Sequence, residues 1–294
     1  MTPESSTARQ LALADMPARL FSCTPSRLAA FDCPRRYRFT YLDRPMPSRG
    51  APWAHNAVGA SVHNALHLWW SLPRAHRTPA EGARLVEQNW QNIGFRDDAQ
   101  SLHACTEAAR WVEEYLARGP EQVGVDPGVD PIGVERTVAT RTRRLAVSGR
   151  VDRVDDRGDE LVVVDYKTGR RPLTEDDARG SQALALYALA VRTTLRRPCS
   201  RVELHHLPSG TVSTFEHTEQ SLARHVDRAE ATAEDIVTAT DTLASGADPD
   251  EVFPAVPSPV CSWCDFRSHC PQGRVASRDL DSWAGLPVPD AVAE

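Results

Sequence analysis

Lysine is all but missing from this chain. Of its 34 Lys and Arg residues one is a lysine, Lys167, in Val163-Val164-Asp165-Tyr166-Lys167-Thr168-Gly169. No other lysine exists to complete a G-x-x-x-x-G-K-[ST] phosphate loop, which excludes a P-loop motor from these residues. Long apolar runs are missing too, since nothing approaches the roughly 20 residues that span a bilayer. No charged-then-apolar leader opens the sequence, so a cytoplasmic protein without membrane contact is expected. An excess of positive charge is also absent. With a net charge of −6 there is no overall basic field to attract nucleic acid. Nucleic-acid chemistry would then need acids that hold metal and arginines clustered locally. Finally, the cysteines do not form an even set. The seven (Cys23, Cys33, Cys105, Cys199, Cys261, Cys264 and Cys270) argue against a disulfide framework and for metal ligation by some of them.

The shortage of lysine makes the one that remains informative. Arg presents a wide, permanently charged fork. Lys presents a compact ammonium that can touch a water and a phosphoryl oxygen together. A chain that uses Arg elsewhere has kept Lys167 where Arg does not substitute.

Residues 1–24 read as a flexible leader and 274–294 as a disordered acidic tail. Between them 25–273 read as one domain, mainly helical over 25–130, with a sheet core over 131–217 and a Cys-rich region over 257–273. Apolar residues at helical spacing predict helices over 26–42, 58–72, 79–92 and 102–118. Strands are expected over 133–140 and 145–154. Leu161-Val162-Val163-Val164 is the continuous apolar run of a strand buried on both faces. A helix over 174–195, a hairpin over 201–217 turning at Pro208-Ser209-Gly210, and a helix over 218–244 complete the pattern.

The segment from Gly149 to Lys167 contains two strand-like runs around Asp155-Asp156-Arg157-Gly158-Asp159, which predicts a β-hairpin. With its tip between Gly158 and Asp159, Asp152 lies opposite Asp165. Cross-strand partners stand about 5 Å apart, and two carboxylates that close repel unless a cation intervenes. The period of 2 puts Asp165 and Lys167 on one face. Two acids and an amine at the end of a buried strand suit Mg²⁺ or Mn²⁺ and phosphodiester hydrolysis.

Gly149-Arg150-Val151-Asp152 followed by Asp165-Tyr166-Lys167-Thr168-Gly169 resembles the core of the PD-(D/E)XK nucleases, in their RecB-like exonuclease branch. The resemblance implies metal ligation by Asp152, Asp165 and the Tyr166 backbone carbonyl, with Lys167 as the catalytic amine. Gly59-Ala60-Ser61-Val62-His63-Asn64-Ala65-Leu66 matches the branch's ligand-histidine helix and implies His63 as a metal ligand. Glu135, on the strand before, matches an acid common there and is a further candidate ligand. The branch's Q-x-x-x-Y helix is represented by Gln182 and Tyr187, spaced by five rather than four. At about 100° per residue that extra step turns Gln182 off the face of Tyr187, which leaves Tyr187 the better substrate or support residue.

Cys261-x2-Cys264-x5-Cys270 holds three thiols and lacks a fourth, for which Cys33 in Phe31-Asp32-Cys33-Pro34 is the best candidate. This arrangement resembles the iron–sulfur staple of AddB-type and CRISPR-adaptation nucleases, which implies a 4Fe–4S cluster joining the two ends of the domain. A zinc site is the competing reading; it normally pairs two C-x-x-C knuckles. Cys23, Cys105 and Cys199 read as core residues.

The expectation is thus an α/β, restriction-endonuclease-like domain with a central mixed sheet flanked by helices and its ends joined by an iron–sulfur cluster. Its function would be metal-dependent exonuclease action on DNA in repair or recombination, with any helicase supplied by a separate subunit. A CRISPR-adaptation type exonuclease and a catalytically inactive iron–sulfur DNA-binding module are the alternatives.

Overall fold

The structure is a computed structural model that describes residues 20–119 and 126–288. Among these residues six strands form one mixed sheet: β1 (Phe21–Cys23), β2 (Gly133–Arg141), β3 (Leu145–Asp156), β4 (Leu161–Lys167), β5 (Arg201–His206) and β6 (Thr211–Glu216). The long strand β3 is central. β2 lies antiparallel along one side of it, while β1, parallel, and β4, antiparallel, share the other side at its two ends. β5 runs parallel to β4, and β6 closes the edge as a hairpin partner of β5.

The β3–β4 hairpin has the expected register, with Asp156 opposite Leu161 and Arg153 opposite Val164. Val162, Val163 and Val164 are each buried to 1% exposure or less. That accounts for the unbroken apolar run, because each such side chain contributes roughly 1.5–3 kcal/mol when fully buried. On one face Val162, Val164 and Tyr166 pack against the helices α3 (Ala54–Ser71), α4 (Pro79–Gln88) and α5 (Asp98–Ala117). On the other, Leu161 and Val163 pack against a later helix, Gln182–Leu195. No helix among the described residues is long and apolar enough to cross a membrane.

Four expectations need correction. The helix predicted over 26–42 is two, α1 (Pro25–Ala29) and α2 (Pro34–Tyr41), with a 3₁₀ turn and an extended Cys33 between them. Pro34 is the cause: it opens a helix well but drives the preceding residue out of the α region. The helix predicted over 174–195 is likewise two, α6 (Glu175–Gly180) and α7 (Gln182–Leu195). Thr174 caps the first with a reciprocal bond to Asp177, and Ser181 starts the second by accepting from the Leu184 amide. The leader is not wholly flexible, since Phe21–Cys23 is strand β1 and the Phe21 amide donates to the Arg144 carbonyl; residues 1–19 lie outside the described residues. The tail is held as far as 288. The Ala54 amide donates to the Ser282 carbonyl, Ser282 Oγ to the Gly94 carbonyl, and Leu286 packs on the helical layer. The hydrogen-bond partners of Ser282 are more than 180 residues away in sequence, which is why local composition reads as disorder. Residues 289–294 lie outside the description.

After β6 the chain continues through α8 (Glu219–Ala244), which covers the β1 end of the sheet, and α9 (Pro249–Val252). The seam between the chain's early and late segments carries direct ties: Arg35 and Arg38 pair with Asp250, and the Gly50 amide donates to the Asp265 carbonyl.

Candidate active site

The sheet forks where β4 leaves β3. Their ladder ends at Arg153 opposite Val164, and the Tyr166 amide beyond it donates to Asp152 Oδ2 at 2.8 Å. A side-chain acceptor thus replaces the next backbone one, and the strand ends part around a carboxylate. The β2–β3 ladder has Val134 opposite Arg153 and Arg136 opposite Val151. Glu135 therefore stands level with Asp152, and the hairpin register puts Asp165 level with it on the other side. Three acids from three adjacent strands form one row.

Each of the row's members is held differently. Glu135 has φ +48° within a strand, a left-handed backbone that costs a non-glycine residue of order 1 kcal/mol or more and is found at functional sites. Asp152 accepts from the Tyr166 amide and meets His63 Nδ1 at 3.3 Å. His63, from the middle of α3, also places Nε2 3.1 Å from the Tyr166 carbonyl oxygen. Helix α3 can lie this close because Gly59 faces Thr168: a Cβ there would stand 3.3 Å from its Oγ1. One ligand atom each from His63, Glu135 and Asp152 lies within 4.8 Å of the others, the only such group of three among the described residues. Asp165 is outside this group, and its Oδ2 is ion-paired with Lys167 Nζ.

The electrostatics reflect an excess of negative charge. Burial pushes the Asp165 carboxyl up; the Lys167 ammonium opposes this and the Asp152 charge adds to it, leaving it above its ordinary value. Burial pulls His63 down, but the bond to Asp152 and the charges of Asp152 and Asp165 outweigh burial and raise it. A divalent cation would reverse this logic and favour the ionised acids and the neutral imidazole. The donor set of carboxylates, one carbonyl and one imidazole fits such a cation.

Tyr187 on α7 reaches the same fork. Its ring stands over Gly149, where a Cβ would come within 2.6 Å of Cε1. Its phenol is pushed up first by burial and then by Asp165 and Asp152. Gln182 does not join it, and its amide lies 3.5 Å from the His225 carbonyl on α8. The five-residue spacing turns it off the face of Tyr187.

A second polar cluster, which the sequence did not suggest, backs the fork. Arg153 is fully buried and bidentate to Asp155 at 2.8 and 2.9 Å, and it donates to the phenols of Tyr115 and Tyr166. Tyr115 is 2.7 Å from His205 Nδ1, and His205 Nε2 is 2.9 Å from Glu203. Arg201 donates to Glu203 from the same strand. Tyr166 thus joins this cluster through its side chain and the fork through its backbone.

A family model, that of the PD-(D/E)XK nuclease superfamily, matches residues 22–271. The chain belongs to the PD-(D/E)XK nuclease superfamily. The match takes in the whole sheet except Phe21 and all the residues of the fork. Membership implies a metal-dependent nuclease that hydrolyses phosphodiester bonds, and the His63–Glu135–Asp152 group is a suitable place for the metal. No curated protein matches the chain.

The cysteines of this superfamily member divide by location. Cys33, Cys261, Cys264 and Cys270 line one small cavity of about 20 Å³ together with Arg36, Phe39 and Gly273. Cys261 Sγ accepts from the Ser258 amide at 3.4 Å and Cys270 Sγ from the Gly273 amide at 3.3 Å. The Cys264 thiol is pushed up by burial, against the Phe266 amide and the charge of Arg36. Cys23, Cys105 and Cys199 are buried elsewhere in the core.

Proposed function

We propose that this chain is a DNA exonuclease of the RecB-like branch that uses Mg²⁺ or Mn²⁺ and acts in repair or recombination. The observation that carries this reading is the row Glu135–Asp152–Asp165 at the strand fork, with His63 on one side and Lys167 on the other. His63, Glu135, Asp152 and the Tyr166 carbonyl would hold the cation, with Asp165 joining them once Lys167 is released to substrate. When bound, the cation supplies Lewis-acid charge to the scissile phosphate and acidifies water. Lys167 Nζ orients the attacking water and meets the charge that develops on the phosphoryl oxygens. Asp165 positions Lys167 through their ion pair. Tyr187, against Gly149, walls the cleft on the α7 side.

The four clustered cysteines are read as ligands of a 4Fe–4S cluster. One distant cysteine, Cys33, joined to the Cys261-x2-Cys264-x5-Cys270 run is unlike the paired C-x-x-C knuckles usual for zinc, and this favours the cluster. Amide donors to two of the sulfurs are the kind of contact that tunes such a cluster.

Digestion of end-labelled linear DNA and of closed circular DNA by anaerobically purified protein tests the whole reading. Metal-dependent release of nucleotides from linear DNA alone is expected, with about four irons per chain that fall to background in Cys33→Ala. Absence of cleavage with Mg²⁺ and Mn²⁺ refutes the nuclease, cutting of circles refutes the exonuclease mode, and bound zinc in place of iron refutes the cluster.

A further inference from the structure

Arg150 lies two residues before Asp152 on β3 and therefore projects from the same face. Its guanidinium is 3.3 Å from Glu135, diagonally across the β2–β3 pair, and its side chain is two-thirds exposed. Exposed ion pairs of this kind contribute little to stability, so folding does not explain the contact. The carboxylate it touches is the one carried on a left-handed backbone and gathered with His63 and Asp152. A divalent cation at that group and the Arg150 guanidinium would compete for the Glu135 carboxylate.

We propose that Arg150 is the residue that receives the DNA phosphate at this site, and that Glu135 holds it there until the metal takes Glu135. In the metal-free protein the guanidinium neutralises one acid of the row. When Glu135 turns to the metal, Arg150 is left unpaired beside the phosphate that the same metal contacts. A guanidinium fork binds phosphate oxygens in pairs, which an ammonium does not. Metal and DNA binding then reinforce each other through one side chain, and each tightens the other by the same factor. This rests on the metal-nuclease reading above.

Titration of the full chain with Mn²⁺ in the absence of DNA tests it by calorimetry. Arg150→Ala is expected to tighten Mn²⁺ by about fivefold or more, because a competitor is removed. In a Glu135→Gln background the same change is expected to leave Mn²⁺ affinity within about twofold, since the two residues act through one contact. The second readout is binding of a single-stranded oligonucleotide in Mn²⁺, in a Lys167→Ala background that blocks turnover. There Arg150→Ala is expected to lower the slope of log affinity against log salt by about 1. Arg150 is exposed, so unchanged melting is expected and checks the fold. An equal Mn²⁺ response in both backgrounds, a weaker Mn²⁺ affinity in Arg150→Ala, or an unchanged salt slope overturns the proposal while leaving the nuclease reading intact. A parent protein that takes up no Mn²⁺ overturns both.

Discussion

Asp152 and Arg153 are adjacent on β3 and leave the strand in opposite directions, into two polar clusters of different character. The Arg153 cluster is closed. Its guanidinium is bidentate to Asp155 and shared by two phenols, and His205 links Tyr115 to Glu203. The Asp152 cluster is open. Its acids outnumber its cations, and buried Asp165 Oδ2 has Lys167 Nζ beside it but no well-directed donor. Buried polar groups that are fully paired specify a structure, whereas those left with excess charge are poised to accept a cation. The contrast separates residues that hold the fork from residues that work in it.

The largest effects are expected in the open cluster, and on activity alone. Asp165→Ala should abolish cleavage while leaving the melting temperature unchanged or higher, because it removes a like charge from the row. Lys167→Arg keeps the charge but should also disable cleavage, since a broad fork cannot replace the ammonium between a water and a phosphoryl oxygen. A metal-dependent digest of labelled DNA alongside thermal melting checks both. A fully active Lys167→Arg protein would remove the reason for the single lysine.

The closed cluster should respond on stability instead. Arg153→Ala leaves Asp155 with Arg157 as its one guanidinium partner and takes a donor from two phenols, a loss of about 3 kcal/mol. Urea unfolding measures it. A loss below 1 kcal/mol would mean that water enters and solvates Asp155, and the clusters would then differ less than their geometry suggests.

The two clusters were not equally legible in the sequence. The open one is built largely from a hairpin: Asp152, Asp165 and Lys167 lie within 16 residues, and the turn fixes their register. His63 and Glu135 came from resemblance rather than from spacing, and the structure puts both at the fork. The closed cluster assembles Trp70, Tyr115, Arg153, Tyr166, Glu203 and His205 from five separate elements. Nothing local pairs them; the only signal is an Arg and a Glu inside runs that otherwise read as buried strand. Strand β1 was invisible for the same reason, being three residues held by a distant partner. Gln182 matches the motif with one residue too many before Tyr187, and its amide lies toward α8.

The smallest effect concerns pH and tests the closed cluster without emptying it. Burial pushes the Glu203 carboxyl up, but the hydrogen bond to His205 and the neighbouring charges, Arg157 and Arg201 among them, outweigh it and hold Glu203 at about 2, against an ordinary 4.5. His205 is itself lowered, chiefly by burial. In the neutral tautomer that fits both neighbours, it donates Nε2–H to Glu203 and accepts the Tyr115 hydroxyl at Nδ1. Between pH 4.5 and 2 the unfolded chain carries a proton on Glu203 that the folded chain does not. Stability from this group is therefore complete above pH 4.5 and lost as pH falls through about 2. Glu203→Gln keeps an acceptor for His205 and removes the titration. Its melting temperature should be lower than the parent's at pH 7, and the two curves should converge as pH falls toward 2. Parallel curves across that window would show that Glu203 does not set the acid sensitivity.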